Sequence, residues 1–321
     1  SYDGQENVNE LLDEAETSIL RVSESSNRAG FQRIDTVLND SINHVYELSK
    51  NESDVTGLPT GYPQLDEMTT GLHDDELVII AARPAMGKTA FALTVALNAA
   101  VKGGASVIVF SMEMSKEQLA LRLLAMESKV GLQKLRTGKL ERRDWDDVND
   151  ALETLSQAEI HIDDTAGISI MEMKSKCRRL KAEGKLDLIV IDYLQLMNPE
   201  GRSSESRTQE ISVISRNLKL LARELDCPVL VLSQLSRAPE QRGDHRPMLA
   251  DLRDSGSIEQ DADIVIFLYR DDYYNENSEN PGECEVILAK HRSGPTGTIN
   301  VAWLDKITKF VDSAGSSGKN F

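Results

Sequence analysis

Apolar residues recur at helical spacing in the first fifty positions of the chain. The first stripe comprises Val8, Leu11, Leu12, Ala15, Ile19 and Val22, and the second comprises Phe31, Ile34, Leu38, Ile42, Val45 and Leu48. Such stripes predict an amphipathic helix over residues 7–23 and a second helix before the turn-rich stretch 51–61. The Ser-rich segment SESSNRAG separates them. The first helix therefore either packs on its own domain or docks on a neighbouring subunit.

From residue 76 onward, short continuous apolar runs alternate with helical patterns. The predicted strands are ELVIIAA, SVIVFS, IHID, LDLIVIDYL and PVLVLSQL, and the predicted helices span 89–102, a segment begun by Ser115, 142–158, 169–183 and 206–225. Continuous apolar strands between helices indicate an α/β fold with a parallel sheet covered on both faces. Three later runs, DADIVIFLYR, CEVILAKHR and TGTINVAWL, have no helix between them. We therefore expect antiparallel strands at the C-terminal edge of the sheet.

Length and hydropathy limit the class of protein. The chain has 321 residues, which fits one large α/β domain with an appendage. No segment contains the roughly 18 consecutive apolar residues that a membrane span needs. We predict a helical linker and extension over residues 1–55, one main α/β domain over 56–314 and a flexible tail over 315–321.

The charge of the chain is unevenly distributed. The formal net charge is −17, and residues 1–75 hold sixteen acidic against four basic side chains, which leaves only −5 for the rest. This balance argues against a protein whose whole surface binds nucleic acid, but a local groove in the larger part is compatible with it. The three cysteines are far apart, without the spacing of a zinc site. Reduced thiols and a cytoplasmic location fit best, and the start at Ser1 suggests a processed or trimmed chain.

The segment AARPAMGKTA ends a predicted strand and opens a predicted helix. In this context, backbone N–H groups cradle phosphates, a lysine reaches the terminal phosphates and a hydroxyl binds Mg²⁺. Lys88 and Thr89 occupy those two positions, although Ala82 stands where the first glycine of the usual pattern belongs. The predicted nucleotide-binding residues are Ala82, Arg83, Pro84, Ala85, Met86, Gly87, Lys88, Thr89 and Ala90. We therefore predict an ATP site with Mg²⁺.

Two carboxylates lie at the ends of neighbouring predicted strands. Asp192 ends an apolar strand at the edge where open α/β sheets bind ligands, and we predict that it holds the Mg²⁺ with Thr89. Glu113 follows the strand SVIVFS and could orient the water that attacks the γ-phosphate. It could equally stabilise the dipole of the helix that follows.

Several segments together resemble the replicative hexameric DNA helicases of bacteria, the DnaB family with its RecA-like motor domain. They are ARPAMGKTAFA, FSMEMS, IDYLQLM, LSQLSR, DLRDSGSIEQDAD and AKHRSGPTGT, in that order, within a similarity that spans residues 5–312. In that family an alanine at the position of Ala82 is usual. The family's N-terminal domain, which meets primase, has no counterpart in this sequence, so the chain resembles a motor fragment with its linker.

The resemblance implies roles for residues that the pattern alone leaves open. Glu113 would be the catalytic base, Gln234 the sensor that links the γ-phosphate to DNA, and Lys290 with Arg292 the fingers inserted into the neighbouring subunit's site. Residues 5–24 would form a linker helix that docks on the next protomer of a homo-hexamer. Primase, a helicase loader and other replisome proteins would be partners.

The same resemblance places single-stranded DNA in the central channel. Arg253, Asp254 and Gly256 would contact the phosphates of one strand, although the family more often has glutamate at position 254. No Phe, Trp or Tyr occurs between Tyr193 and Phe267, so backbone contacts fit better than base stacking. On the residues alone, Arg253 could instead pair with Asp251 or Asp254. Trp145 and Trp303 are expected to serve packing.

We therefore predict an ATP-dependent replicative helicase motor that translocates on single-stranded DNA as a ring and unwinds duplex at the fork. A RecA-type recombinase or another ring ATPase without unwinding activity shares the fold and is the main alternative. A scaffold that binds ATP but turns over slowly is a further one.

Overall fold

The structure, a computed structural model, describes residue 31 and residues 33–50, 54–198 and 206–313, with only the backbone at residues 40, 44 and 253–256. The predicted helix over 7–23 and most of the polar segment GRSSESR lie outside these ranges. The chain divides after Ser53 into two units. Within the first unit, helix α1 (Ile34–Leu48) confirms the second predicted helix. Its apolar side chains, including Ile34, Leu38, Ile42 and Val45, are exposed.

The second unit is built on one nine-stranded sheet. The strands are β1 (Leu77–Ala82), β2 (Val107–Ser111), β3 (Ile160–Asp163), β4 (Leu188–Asp192), β5 (Val229–Gln234), β6 (Ile264–Tyr269), β7 (Glu283–His291), β8 (Gly297–Leu304) and β9 (Lys309–Asp312). Their order is β3-β2-β4-β5-β1-β6-β7-β8-β9. The first six strands in this order pair in parallel, and β7 to β9 add antiparallel pairs. The predicted sheet with an antiparallel edge is thus confirmed.

Helices cover both faces of the sheet. They are α2 (Pro63–Thr69), α3 (Lys88–Leu97), α4 (Lys116–Ser128), α5 (Leu132–Thr137), α6 (Arg142–Gln157), α7 (Ile170–Ala182), α8 (Arg207–Leu225), α9 (Gly256–Asp261) and α10 (Asp271–Tyr274). Side chains alternate between the faces along β1: Val78 and Ile80 belong to one buried cluster, while Leu77 and Ile79 belong to the other. Every residue of β1 is buried, which explains its continuous apolar run.

Sequence patterns missed most of the short elements, although the four-residue strand β3 was predicted as IHID. Strand β9 and helices α2, α5, α9 and α10 span four to seven residues each, too few for a period to be read. The predicted helix over 89–102 is α-helical only to Leu97, and its last turn, Asn98–Lys102, is a π-helix.

No helix among the described residues is both long and apolar enough to cross a bilayer. The three cysteines are buried and unbridged. Burial raises the pKa of the Cys177, Cys227 and Cys284 thiols to about 12, so these thiols are poor nucleophiles at neutral pH.

Candidate active site

The loop between β1 and α3 has the backbone of a phosphate-binding turn. Gly87 adopts a φ of +96° at the N-terminus of α3, a conformation that favours glycine. A Cβ on Gly87 would lie 2.8 Å from the ring of Phe310, whose side chain is buried. Only glycine fits this position without displacing that ring. The first N–H groups of α3 are therefore presented at the end of β1, where a helix N-terminus favours anions.

The predicted metal ligands are in direct contact. The Thr89 hydroxyl donates to Asp192 Oδ2 over 2.7 Å, and Asp192 is buried at the end of β4. Burial raises the pKa of Asp192, the Thr89 bond acts against this rise, and the Glu113 charge adds to it. A hydroxyl beside a carboxylate, with substrate phosphates nearby, matches the oxygen ligands that Mg²⁺ prefers. Among the described residues no cluster of three or more His, Cys, Asp or Glu could hold a metal by itself.

Lys88 lies within the same electrostatic cluster. Its ammonium group donates to the Ala82 carbonyl over 3.4 Å. Burial lowers the pKa of Lys88, while the carboxylates of Asp192 and Glu113 act to raise it. A partly buried cation that has carboxylates nearby and a long hydrogen bond to a carbonyl is well suited to bind a polyanion.

Glu113 is exposed beside this cluster. It follows β2, whose last residue, Ser111, pairs with Asp192 across the sheet. The dipole of the following helix α4 has other partners, because Glu117 lies in its first turn and Ser115 forms a capping box with Gln118. This arrangement favours a water-orienting role for Glu113 over the dipole role.

Arg122 is a further charged residue near this cluster, and sequence reasoning did not single it out. It lies on α4, where burial lowers its pKa and the charges of Asp192 and Glu113 act to raise it. A single arginine within the apolar run LALRLLAM was the available signal.

Gln234 ends β5, beside Ala82 at the end of β1. It is held by Gln195, which sequence reasoning also missed. The Gln195 amide donates to the Ser233 hydroxyl over 3.0 Å and to the Gln234 carbonyl over 3.1 Å. The Gln234 N–H donates back to Gln195 Oε1 over 3.3 Å. The exposed Gln234 therefore has a fixed backbone.

Arg83, within the predicted phosphate loop, uses its side chain elsewhere. Its guanidinium donates to Glu240 Oε1 over 2.7 and 2.9 Å and to the Leu235 carbonyl over 2.8 Å. It thus connects the loop to the segment after β5, and its backbone remains available for phosphate.

An aromatic wall adjoins the phosphate loop. Trp303 and Phe310 have ring centroids 4.5 Å apart, and Trp303 also lies 3.7 Å from the Cβ position of Gly87. The Arg270 guanidinium lies 5.3 Å from the Trp303 ring centroid, within cation–π range. Trp303 packs as expected, but it does so at the edge of the nucleotide site.

Lys290 and Arg292 lie at the opposite edge of the sheet, near the amino-terminal ends of the parallel strands, whereas the phosphate loop lies at the carboxyl-terminal ends. Lys290 pairs with Val265 on β6, which pairs with Ile79 on β1. Ile79 precedes Ala82 by three residues, which is about 10 Å along a strand. The Lys290 ammonium donates to the Ala262 carbonyl over 2.7 Å and also to the backbone carbonyl of Glu259. The structure does not bring either cation to the phosphate loop of its own chain.

The predicted DNA contacts lie between β5 and β6. Arg253 and Asp254 belong to the 3₁₀ helix Leu249–Ser255, and Gly256 begins α9. The neighbouring Asp251 is buried and accepts two bonds from Arg242, of 2.8 and 2.5 Å. Although burial acts to raise it, these bonds hold the pKa of Asp251 below its ordinary value. Asp251 thus has a partner other than Arg253.

Comparisons with known proteins identify the family of this chain. The family described as "DnaB-like helicase C terminal domain" matches residues 57–312. The replicative DNA helicase DnaB of Geobacillus stearothermophilus and the replicative DNA helicase DnaC of Bacillus subtilis are each 50% identical over 311 residues, which cover 97% of this chain and 68% of theirs.

Two solved structures are similar throughout the fold. One, described as an ATPase domain, has a TM-score of 0.84 and 44% identity, with 88% of this chain and 99% of that chain covered. A DnaB-like replicative helicase, described with its interactions with primase, has a TM-score of 0.81 and 43% identity, with 96% and 73% covered.

Proposed function

This chain belongs to the DnaB-like helicase C-terminal domain family, and on that premise we propose that it is the motor of an ATP-dependent replicative DNA helicase. It translocates on single-stranded DNA as a ring and unwinds duplex at the replication fork. The observation that carries this proposal is the separation of the site into two edges: Lys88, Thr89 and Asp192 lie at one end of the sheet, and the cations that would complete it lie at the other. Such a site is completed by a second copy.

Within one protomer, the phosphate loop and Lys88 bind the triphosphate. Thr89 and Asp192 would hold Mg²⁺, which supplies charge neutralisation on the phosphates when bound. Glu113 orients the attacking water and accepts its proton, and Gln234 contacts the γ-phosphate from the end of β5. The aromatic wall of Trp303, with Arg270 beside it, supports the adenine ring of the nucleotide, because an aromatic face stacks on any purine.

The geometry favours trans action for Lys290 and Arg292. Lys290 lies about 10 Å before the end of β1, measured along the strands, and Arg292 follows it. Both side chains contact the segment 259–263 of their own chain. In a ring this edge faces a neighbour, whose γ-phosphate the two cations reach. A cation that is supplied in trans stabilises transition-state charge in P-loop enzymes.

Single-stranded DNA contacts the segment Arg253, Asp254 and Gly256 through phosphates. The absence of aromatic residues from 194 to 266 supports sequence-tolerant backbone contacts, as translocation requires. A cytoplasmic location, primase contact through a separate N-terminal domain, and loading by a helicase loader follow from the family and belong to this proposal.

A groove of about 850 Å³ between α7 and α8 supports ring formation. Its floor includes Met171 and Leu220, which are 69% and 53% exposed. Lys174, Arg178 and Arg223 line it with a single acid, Glu224. The stripe from Val8 to Val22 is apolar and has acidic neighbours, so it complements this groove in both respects. We assign the linker of the next protomer to it, and Leu220→Asp should weaken the ring as removal of residues 1–25 should.

Strand displacement from a forked duplex tests the function. We expect displacement that requires ATP hydrolysis and a free single-stranded tail. DNA-stimulated hydrolysis without displacement would favour the recombinase-type alternative. Nucleotide binding with negligible steady-state hydrolysis would favour a scaffold.

A further inference from the structure

The two finger cations are held by one short segment of their own chain. Lys290 donates to the carbonyls of Glu259 and Ala262, and the Arg292 guanidinium donates to the carbonyl of Gln260. These carbonyls belong to the C-terminal end of α9 and the residue after it, where a helix dipole favours cations. Burial, with the nearby Arg292 charge, lowers the pKa of Lys290.

Asp263 completes this arrangement. Its carbonyl accepts from the Arg292 N–H over 2.9 Å, and its Oδ1 lies 3.5 Å from Arg292 Nη1. Its other oxygen, Oδ2, accepts from the Leu77 N–H and from the Lys219 ammonium, each over 2.8 Å. One carboxylate therefore links the start of β1, helix α8 and the Arg292 finger.

Helix α9 also connects this segment to DNA. It begins at Gly256, the last predicted DNA contact, and ends within the segment that holds both fingers. Helix α9 has only six residues, and its Ile258 is packed in the core, so the helix moves as one unit. A displacement of its Gly256 end therefore also displaces its C-terminal end. DNA contact and finger position therefore act on the same element.

We propose that Asp263, together with the C-terminal carbonyls of α9, is a positioning residue for the Arg292 finger, and that single-stranded DNA stimulates hydrolysis in the neighbouring site partly through this contact. The proposal rests on the proposed function, since it takes Arg292 as a finger that acts in trans.

Asp263→Asn is the informative variant, because the amide oxygen can still accept from the Leu77 N–H while the charge that faces Arg292 is lost. We expect DNA-stimulated ATP hydrolysis by homogeneous rings to fall about tenfold, with nucleotide affinity at the variant's own site unchanged. Lys219→Met is the matched control: it removes the other ion pair of Asp263 and should change hydrolysis by less than about twofold.

Mixed rings separate positioning from simple structural damage. Asp263→Asn rings mixed with Lys88→Ala subunits contain interfaces in which an intact Lys88 faces an intact Asp263–Arg292 pair, so activity should return. Rings of Asp263→Asn with Arg292→Ala contain no such interface, so their hydrolysis should not exceed the residual rate of Asp263→Asn alone. Subunit exchange is verified by the mass of the rings.

Three results would overturn the inference: wild-type hydrolysis by Asp263→Asn, no recovery in rings with Lys88→Ala, or an equal loss in Lys219→Met. Arg292→Ala alone distinguishes the two levels of the argument. If that variant hydrolyses ATP normally, the finger role itself is wrong. If Arg292→Ala is inactive while Asp263→Asn hydrolyses ATP at the wild-type rate, only the positioning role is wrong.

Discussion

The two edges of the sheet hold their charges in different ways. Lys88, Asp192 and Glu113 form a cluster at the nucleotide edge. Burial there lowers the pKa of the partly buried Lys88 and raises that of the buried Asp192. At the opposite edge, Arg292 contacts a carbonyl and one carboxylate, and its side chain remains 46% exposed. Buried charges in a fixed arrangement bind one ligand strongly, because little reorganisation follows.

The exposed edge is suited to exchange. A cation at the surface can replace its carbonyl partners with a phosphate at small cost, since solvent screens both arrangements. On the proposed function, the nucleotide edge is a preorganised site, and the far edge acts on the site of a neighbouring subunit. Each prediction below tests one side of this contrast.

The largest effects are expected at the nucleotide edge. Lys88→Ala should abolish hydrolysis because the γ-phosphate loses its principal charge, and nucleotide affinity should fall as well. Glu113→Gln should bind ATP normally but turn over at least roughly a hundredfold slower, because the amide cannot accept the proton of water. Steady-state hydrolysis and equilibrium nucleotide binding measure the two quantities separately.

Equal losses of nucleotide affinity in both variants would contradict this division of roles. Normal hydrolysis by Glu113→Gln would place the base elsewhere, with the contrast between binding and catalytic groups at this edge removed.

A substitution at the far edge should affect hydrolysis in a different way. Arg292→Ala should be nearly inactive alone but bind nucleotide at its own site, since the finger lies at the other end of the sheet. Mixed with Lys88→Ala under conditions of subunit exchange, it should recover partial ATPase activity, because some interfaces then pair an intact Lys88 with an intact Arg292. Hydrolysis is the readout, since unwinding can require several competent interfaces in one ring.

Absence of recovery in mixed rings of verified mass would place Arg292 in cis or outside the site. The difference between the two edges would then be one of exposure alone.

The nucleotide edge was largely predictable from sequence, and the far edge was less so. Lys88, Thr89 and Asp192 follow strands in a recognisable order, so strand direction alone places them together. The Thr89–Asp192 contact confirms that they meet. Arg122 left one local signal, a single arginine within an apolar run, but the charges near it come from other strands. Gln195 could not be found, because its importance lies in contacts with β5 that no local spacing encodes. The Arg242–Asp251 pair is of the same kind.

The fold shows a similar limit. Long apolar strands and helices such as β1 and α8 were predicted within one or two residues, whereas α9, with six residues, was missed. Helix α9, which joins the predicted DNA contacts to the residues that hold Lys290 and Arg292, is too short for its period to be visible.

A smaller effect is expected at the DNA segment, which adjoins the far edge through α9. Arg253→Ala should weaken binding to all homopolymers alike, by several fold, and leave nucleotide affinity unchanged. Fluorescence anisotropy with nucleotide present, at several salt concentrations, should show affinity that falls steeply with salt and a slightly smaller slope in the variant. A strong preference for one base would instead require stacking contacts.

The smallest expected effect concerns stability, and it separates functional from structural buried carboxylates. Asp192 accepts one hydrogen bond, from Thr89, whereas buried Asp66 accepts from the Thr60 N–H, the Thr60 hydroxyl and the Gly61 N–H. Burial raises the pKa of both carboxyls above 3.8. Three donors compensate Asp66, whereas the Asp192 carboxylate accepts from Thr89 alone among the described residues. On the proposed function, a metal ion and phosphates would compensate Asp192 further.

The sign of the pH dependence follows from the raised pKa. The folded protein binds the Asp192 proton more tightly than the unfolded chain does, so this group's contribution to stability is most favourable below pH 3.8 and is lost as pH rises through the folded pKa. Asp192→Asn removes the buried charge and keeps an oxygen for Thr89. At pH 8 we expect its Tm to exceed that of the wild type by on the order of 2 °C, as for about 1 kcal/mol in a domain of this size.

This gain should shrink as pH falls, because a growing fraction of the wild-type carboxyl is then protonated in the folded protein. Hydrolysis by Asp192→Asn should be lost throughout, as in other sites that exchange stability for function. Asp66→Asn is the matched control and should lower the Tm. The carboxylate accepts three hydrogen bonds through its two oxygens, and in asparagine an N–H group would face one of those donors. Thermal unfolding of both variants without nucleotide or Mg²⁺ measures the contrast. A lower Tm for Asp192→Asn at pH 8 would mean that the nucleotide edge compensates its own charge, and that its preorganisation carries no cost in stability.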